Sequence, residues 1–206
     1  MMPLLDFGRE GIKIPFECVD MHGHLGRYFF AIPDMSLESL IASMDRVGIR
    51  RYWTSHMRTM SADADWGNEQ VFAAMKKYPN RILGAISVWP SSKSDVKRVV
   101  EKWLRKGFSG FKLHNSNGFP YTHDNYEFLY KTANERKMPI LFHTWGGDNE
   151  FREISSLAAK YPMVSFLMAH SGSAAKEGYV KMAKEQGNGW LHRKRFYRIS
   201  SPKMRF

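Results

Sequence analysis

Short β-rich runs alternate with amphipathic helical patterns six times along the chain, and this alternation constrains the fold more than any other feature. The strand candidates are 16–21, 50–55, 82–88, 108–113, 140–144 and 164–169. Their centres lie roughly 26 to 33 residues apart, the length of one βα unit. Several runs are apolar on both faces, as in ILGAISV and VSFLMA, which suits parallel strands covered on both sides. Between them, Leu37, Leu40, Ile41, Met44 and Val47 form a helical stripe opened by Ser36 and closed by Gly48. Val96, Val99, Val100, Trp103 and Leu104 repeat the pattern between Ser94 and Gly107, and Phe151, Ile154, Leu157 and Ala158 do so ahead of Tyr161-Pro162. Ser173 is placed to cap a further helix carrying Ala175, Tyr179, Met182 and Ala183 up to Gly187. These stripes are core faces.

Such alternation predicts an α/β fold with a parallel sheet, either open and doubly wound or closed as a TIM (β/α)8-like barrel. No glycine-rich phosphate loop follows any strand, so nothing supports a dinucleotide-binding open sheet. A complete barrel typically takes about 250 residues. The 206 residues here leave room for about six βα units, with strands seven and eight missing.

Composition narrows the class. The chain is 43% hydrophobic, and its 16 Gly and 9 Pro follow no period, which excludes disordered and collagen-like classes and fits a single domain. No stretch approaches the roughly 18 uncharged apolar residues of a membrane span. The opening MMPLLDFGREGIKIPF lacks the basic start and apolar segment of a signal peptide. Cys18 is the single cysteine, so a disulfide framework is excluded and a soluble, cytoplasmic protein is expected. The net charge of +11 invites a nucleic-acid partner, but its distribution argues against one. Residues 187–206 hold Arg193, Lys194, Arg195, Arg198, Lys203 and Arg205 and no acid, so the first 186 residues carry only +5.

The histidines gather at one kind of place. His22 and His24 follow the first strand, His56 the second and His114 the fourth, while His143 and His170 end the fifth and sixth. In a parallel barrel all strand C-termini share one face, where active sites assemble. An H-x-H pair at a strand end points two imidazoles to the same side. That suits two ligands of one metal, and a third histidine from another strand leaves an open position for water, as in catalytic sites. His123 and His192 carry no assigned role.

Four segments carry a resemblance: Asp-Met-His-Gly-His-Leu-Gly at 20–26, Gly-Phe-Lys-Leu-His at 110–114, Pro-Ile-Leu-Phe-His-Thr-Trp at 139–145 and Phe-Leu-Met-Ala-His-Ser-Gly at 166–172. Together they resemble the metal-dependent amidohydrolase superfamily, in the amidohydrolase-related branch that also contains decarboxylases of aromatic and unsaturated carboxylic acids. The likeness runs from about residue 15 to 186, in the family's order. It implies a distorted TIM barrel around a divalent metal, zinc or manganese in its place. His22, His24 and His143 match the metal ligands, and His170 matches the sixth-strand histidine that binds metal in some members and polarises or protonates substrate in others. Lys112 stands at the fourth-strand position that is a carboxylated bridging lysine in binuclear relatives. Here it is expected to orient an acidic substrate, with His114 and His56 also lining the pocket. The implied reaction is hydrolysis of an amide, ester or lactone by metal-activated water, or decarboxylation of a small carboxylic acid on the same ligands. The TatD-like deoxyribonucleases also begin with H-x-H, but carry glutamate where this chain has Lys112.

The family pattern also calls for an eighth-strand aspartate as ligand and general base. The last acidic residue is Glu185, and the text after Gly187 loses both acids and periodicity. This predicts a partial barrel domain over 1–186 and a basic, non-family tail over 187–206, as in a truncated or frameshifted product. A catalytically impaired fragment and a tail that binds an anionic partner are the alternatives. Open barrel edges predict self-association or poor solubility.

Overall fold

The computed structural model describes residues 10–13, 15–27, 32, 34–172 and 189–191. In chain order its elements are β1 (Cys18–Leu25), α1 (Leu37–Val47), β2 (Ile49–His56), α2 (Ala64–Lys77), β3 (Ile82–Gly84), β4 (Ile86–Ser87), α3 (Lys93–Arg105), β5 (Phe111–Leu113), α4 (Glu127–Arg136), β6 (Pro139–Phe142), α5 (Asp148–Lys160), β7 (Ser165–Met168) and β8 (Gly189–Leu191). Every strand pair is parallel, in the order β1-β2-β3 and β4-β5-β6-β7-β8. β3 and β4 are halves of one strand broken at Ala85. There the Ala85 N–H donates to the Thr54 carbonyl at 2.8 Å, and the Ile86 N–H donates to the Gly110 carbonyl at 2.8 Å on the other side. The α/β barrel-like architecture is thus the one expected from the alternation. Among the described residues, no helix is long and apolar enough to cross a membrane.

Local signals explain where helices start and stop. Ser36 caps α1 by accepting from the Ser39 N–H, and Gly48 closes it in the left-handed conformation at φ 85°. In α3 the cap is Ser92, which accepts from the Asp95 N–H at 3.1 Å, so the helix opens ahead of the expected Ser94. Its stripe is the predicted one: Val96, Val99, Val100 and Trp103 are all buried. Each such side chain contributes roughly 1.5–3 kcal/mol by leaving water.

Two departures from the sequence expectation matter for function. The first strand runs from Cys18 to Leu25 and so contains His22-Gly23-His24, which was expected to follow it. A strand also lies at Gly189–Leu191, paired with β7, inside the stretch that had no legible pattern. Three residues are too few to produce a period. The remainder of 187–206 and the helix proposed after Ser173 lie outside the described residues.

Parallel register decides which side chains enter the barrel. Phe111, Phe142 and Phe166 face the helices, and Phe142 stacks on Phe166 with centroids 5.5 Å apart. Trp53, Ala85, Leu141 and Ala169 form a separate inner cluster with Met21, Leu83 and Leu167. Lys112 lies in register with Ser87 on one side and Leu141 on the other, which puts its amine in this inner layer.

Candidate metal centre

The site begins with a bulge. Asp20 pairs with Tyr52 and Gly23 with Thr54, so β1 holds one extra residue between them. The Asp20 Oδ1 accepts the His22 N–H at 2.9 Å and stabilises that step. Tyr52 clamps the next residues: its hydroxyl accepts the His24 N–H at 2.8 Å and donates to the His24 carbonyl at 3.3 Å. The Tyr52 ring lies so close over Gly23 that a Cβ there would sit 2.3 Å from it. Only glycine fits between the two histidines. Replacing Tyr52 with Phe leaves the half-buried His24 N–H without this acceptor, and is expected to cost about 1 kcal/mol in urea unfolding.

The result is a pair of imidazoles whose Nε2 atoms face each other 3.2 Å apart, with rings 5.0 Å between centroids. Two nitrogens bound about 2.0–2.1 Å from one ion stand roughly 3 to 3.4 Å apart. The other histidines extend the array. His170 sits in the turn Ala169–Gly172 after β7, with a left-handed φ of 54°. Its ring is 5.1 Å from His22 and 4.8 Å from His143. His143 follows β6, where its N–H donates to the Leu113 carbonyl at 3.0 Å and continues the ladder. His114, after β5, stacks on His143 at 3.9 Å and 18°, and its Nδ1 accepts the Ser116 N–H. Trp145, exposed, meets the edge of this stack 4.3 Å from His143.

Lys112 lies beneath, 1% exposed, and its Nζ has no hydrogen-bond partner among the described residues. Burial pushes this amine down to about 7. The imidazoles are depressed too. His24 falls to about 3, chiefly by burial and then by the Lys112 charge, and His114 falls to about 3 for the same reasons. His143 falls to about 2, by burial and then by its neighbour His114. Neutral rings with free lone pairs are what a divalent cation requires. The buried Nε2 of His143 has no hydrogen-bond partner among the described residues, which fits a site built for a cation. The His22–His24 pair stands at ligand spacing, and no set of three His, Cys, Asp or Glu closes around one point among the described residues. His143 and His170 are the adjacent rings from which a third donor would come.

His56 is placed differently. Its ring lies against Gly26 and Gly67 and meets Trp66 at 5.2 Å, while its Nδ1 accepts the Arg58 N–H. Packing and a turn cap thus occupy much of it. Tyr52 was not legible as a site residue. It acts through backbone groups of His24 brought near only by the fold, and no motif marks that.

The fold agrees with known proteins. No curated protein sequence matches the chain significantly. By structure it is similar to 5-carboxyvanillate decarboxylase from Novosphingobium aromaticivorans, solved with manganese and a nitrobenzoic acid, at a TM-score of 0.67 and 14% identity over 83% of this chain and 70% of that one. It is also similar to an uncharacterized TIM-barrel protein from Bordetella bronchiseptica (TM-score 0.63, 16% identity, 76% of this chain and 59% of that one). A third is 4-oxalomesaconate hydratase from Rhodopseudomonas palustris (TM-score 0.59, 17% identity, 84% and 70%). At these identities the likeness establishes the fold. The family model for the amidohydrolases designated Amidohydro_2 matches residues 19–202, into the stretch expected to be a non-family tail. That match spans well over half of the sequence, and the chain therefore belongs to the Amidohydro_2 amidohydrolase family.

Proposed function

We propose that this chain carries the histidine ligands of a metal-dependent hydrolase acting on an amide, ester or lactone of a small carboxylic acid. His22, His24 and His143 would hold a zinc or manganese ion. The observation that carries this is the facing Nε2 pair of His22 and His24, 3.2 Å apart. When bound, such an ion polarises a carbonyl and lowers the pKa of water toward about 7.

The chain's own groups supply the rest. His24 and His143 stay neutral across the physiological range and keep their lone pairs available. His170, between His22 and His143, is positioned to polarise a substrate oxygen or deliver a proton to it. Lys112, deep in the barrel, offers an ammonium partner to a substrate carboxylate, with His114 close enough in charge to be depressed by it. His56 is a further candidate for substrate contact at the rim.

Decarboxylation of a small carboxylic acid is the second reading, and Lys112 serves it as well as it serves hydrolysis. A buried amine with no hydrogen-bond partner among the described residues matches a substrate that brings its own carboxylate. Assaying the manganese- or zinc-loaded protein against lactones and aromatic carboxylic acids separates the two: hydrolysis releases acid, whereas decarboxylation releases carbon dioxide. Turnover of carboxylate-bearing substrates over neutral analogues is expected. Inactivity of a fully loaded protein on both classes would contradict the proposal.

A further inference from the structure

Glu150 is a buried carboxylate, 5% exposed, that none of the chemistry above uses. It is the third residue of α5, whose N-cap Gly147 has no side chain with which to cap. Glutamate at this position commonly turns back toward the N-cap backbone, and Glu150 reaches farther. Its Oε2 accepts the Trp145 N–H at 2.8 Å and the Gly146 N–H at 3.0 Å. Its Oε1 accepts from the Asn115 side-chain amide at 2.8 Å. One carboxylate thus ties the loop after β6 to the loop after β5.

Tyr121 runs beside it as a second strut. Its hydroxyl donates to the His143 carbonyl at 2.5 Å and accepts the Asn115 N–H at 3.3 Å. The two loops carry His143 and His114, each one or two residues from a tied position, and their rings stack at 3.9 Å. We propose that Glu150 is a positioning residue: by locking the β6 loop to the β5 loop it sets the orientation of the His143 imidazole against His114 and toward the His22–His24 pair. The consequence for metal binding rests on the reading that His143 is a ligand. The effect on the imidazole stack does not.

Three N–H donors meet the two carboxylate oxygens, a set that an acceptor-only group satisfies directly. Glutamine keeps the shape but offers one acceptor oxygen in place of two, so the Asn115 amide must turn over to meet its NH2. The test compares wild type, E150Q and N115A by thermal unfolding, by NMR of the imidazole C–H signals without metal, and by Mn2+ titration. The proposal expects E150Q to fold, to lose the ring-current-shifted His114 and His143 signals, and to bind Mn2+ about 10- to 100-fold more weakly, the range for residues supporting a ligand. N115A, missing one of the three bonds, shifts the same signals by less. Unchanged imidazole signals in both variants would overturn the proposal. If wild type itself takes up no Mn2+, the metal reading fails while the imidazole signals still decide the role of Glu150. If E150Q fails to fold, N115A decides it.

Discussion

Lys112→Met is expected to make the protein more stable at pH 7 while abolishing its preference for carboxylate substrates. The buried amine has a pKa of about 7 when folded, against 10.5 in the exposed chain. Between those values the unfolded chain binds more protons than the folded one, so stability rises as pH rises through that window. Below about 7 the penalty is fully present. The depression corresponds to at most about 5 kcal/mol, since one pKa unit is about 1.4 kcal/mol. Methionine fills a similar volume without a charge to desolvate. Urea unfolding at pH 7 and pH 9 should find the variant more stable by about 2 kcal/mol or more at pH 7, with the gap narrowing at pH 9. Equal stability at both pH values would mean that the amine is not held in a dry environment.

That cost implies a use. Buried unpaired cations are rare in folded proteins, and Lys112, without a partner among the described residues, lies in register with Ser87 and Leu141, inside the barrel beneath the histidines. A carboxylate entering the barrel would restore the ammonium form. Binding of an anionic ligand should therefore weaken as pH rises above 7, and that dependence should vanish in the variant.

His22→Ala and His143→Ala are expected to have the largest effect on metal binding. Loss of a residue that merely supports a ligand costs about 10- to 100-fold in affinity, and loss of a ligand should cost at least as much. Both side chains lie at the strand-end face rather than in the helix-facing core, so unfolding midpoints without metal should change little. Isothermal titration with Zn2+ or Mn2+ measures this. His56→Ala provides the contrast: its ring packs against Gly26 and Trp66, so stability should fall with little change in metal affinity.

Much of this was legible in the sequence, for identifiable reasons. The α3 stripe of Val96, Val99, Val100 and Trp103 reads directly because a helix buries one face at a fixed period. The convergence of His22, His24, His143 and His170 follows from parallel strands sharing one C-terminal face. Lys112 is assigned inward by its place in the family pattern, and its neighbours Phe111 and Leu113 do pack in the helix-facing core. What was hidden depends on tertiary contacts. β1 appeared to end before His22 because Gly23 breaks the β pattern, and only the Tyr52 ring above it explains that glycine. Tyr121 and Glu150 are ordinary helix-start and loop residues until the β5 and β6 loops meet. β8 is three residues long, and pairing with β7 defines it.

The central claim is that His22, His24 and His143 hold one divalent cation. X-ray absorption at the metal edge of the zinc- or manganese-loaded chain tests this most directly. The account predicts one ion per chain with imidazole scattering from at least two, and with His143 three, nitrogen ligands at about 2.0–2.2 Å, reduced by one in His143→Ala. A chain that binds no ion stoichiometrically, or an ion whose shell is unchanged in His22→Ala and His143→Ala, would contradict it.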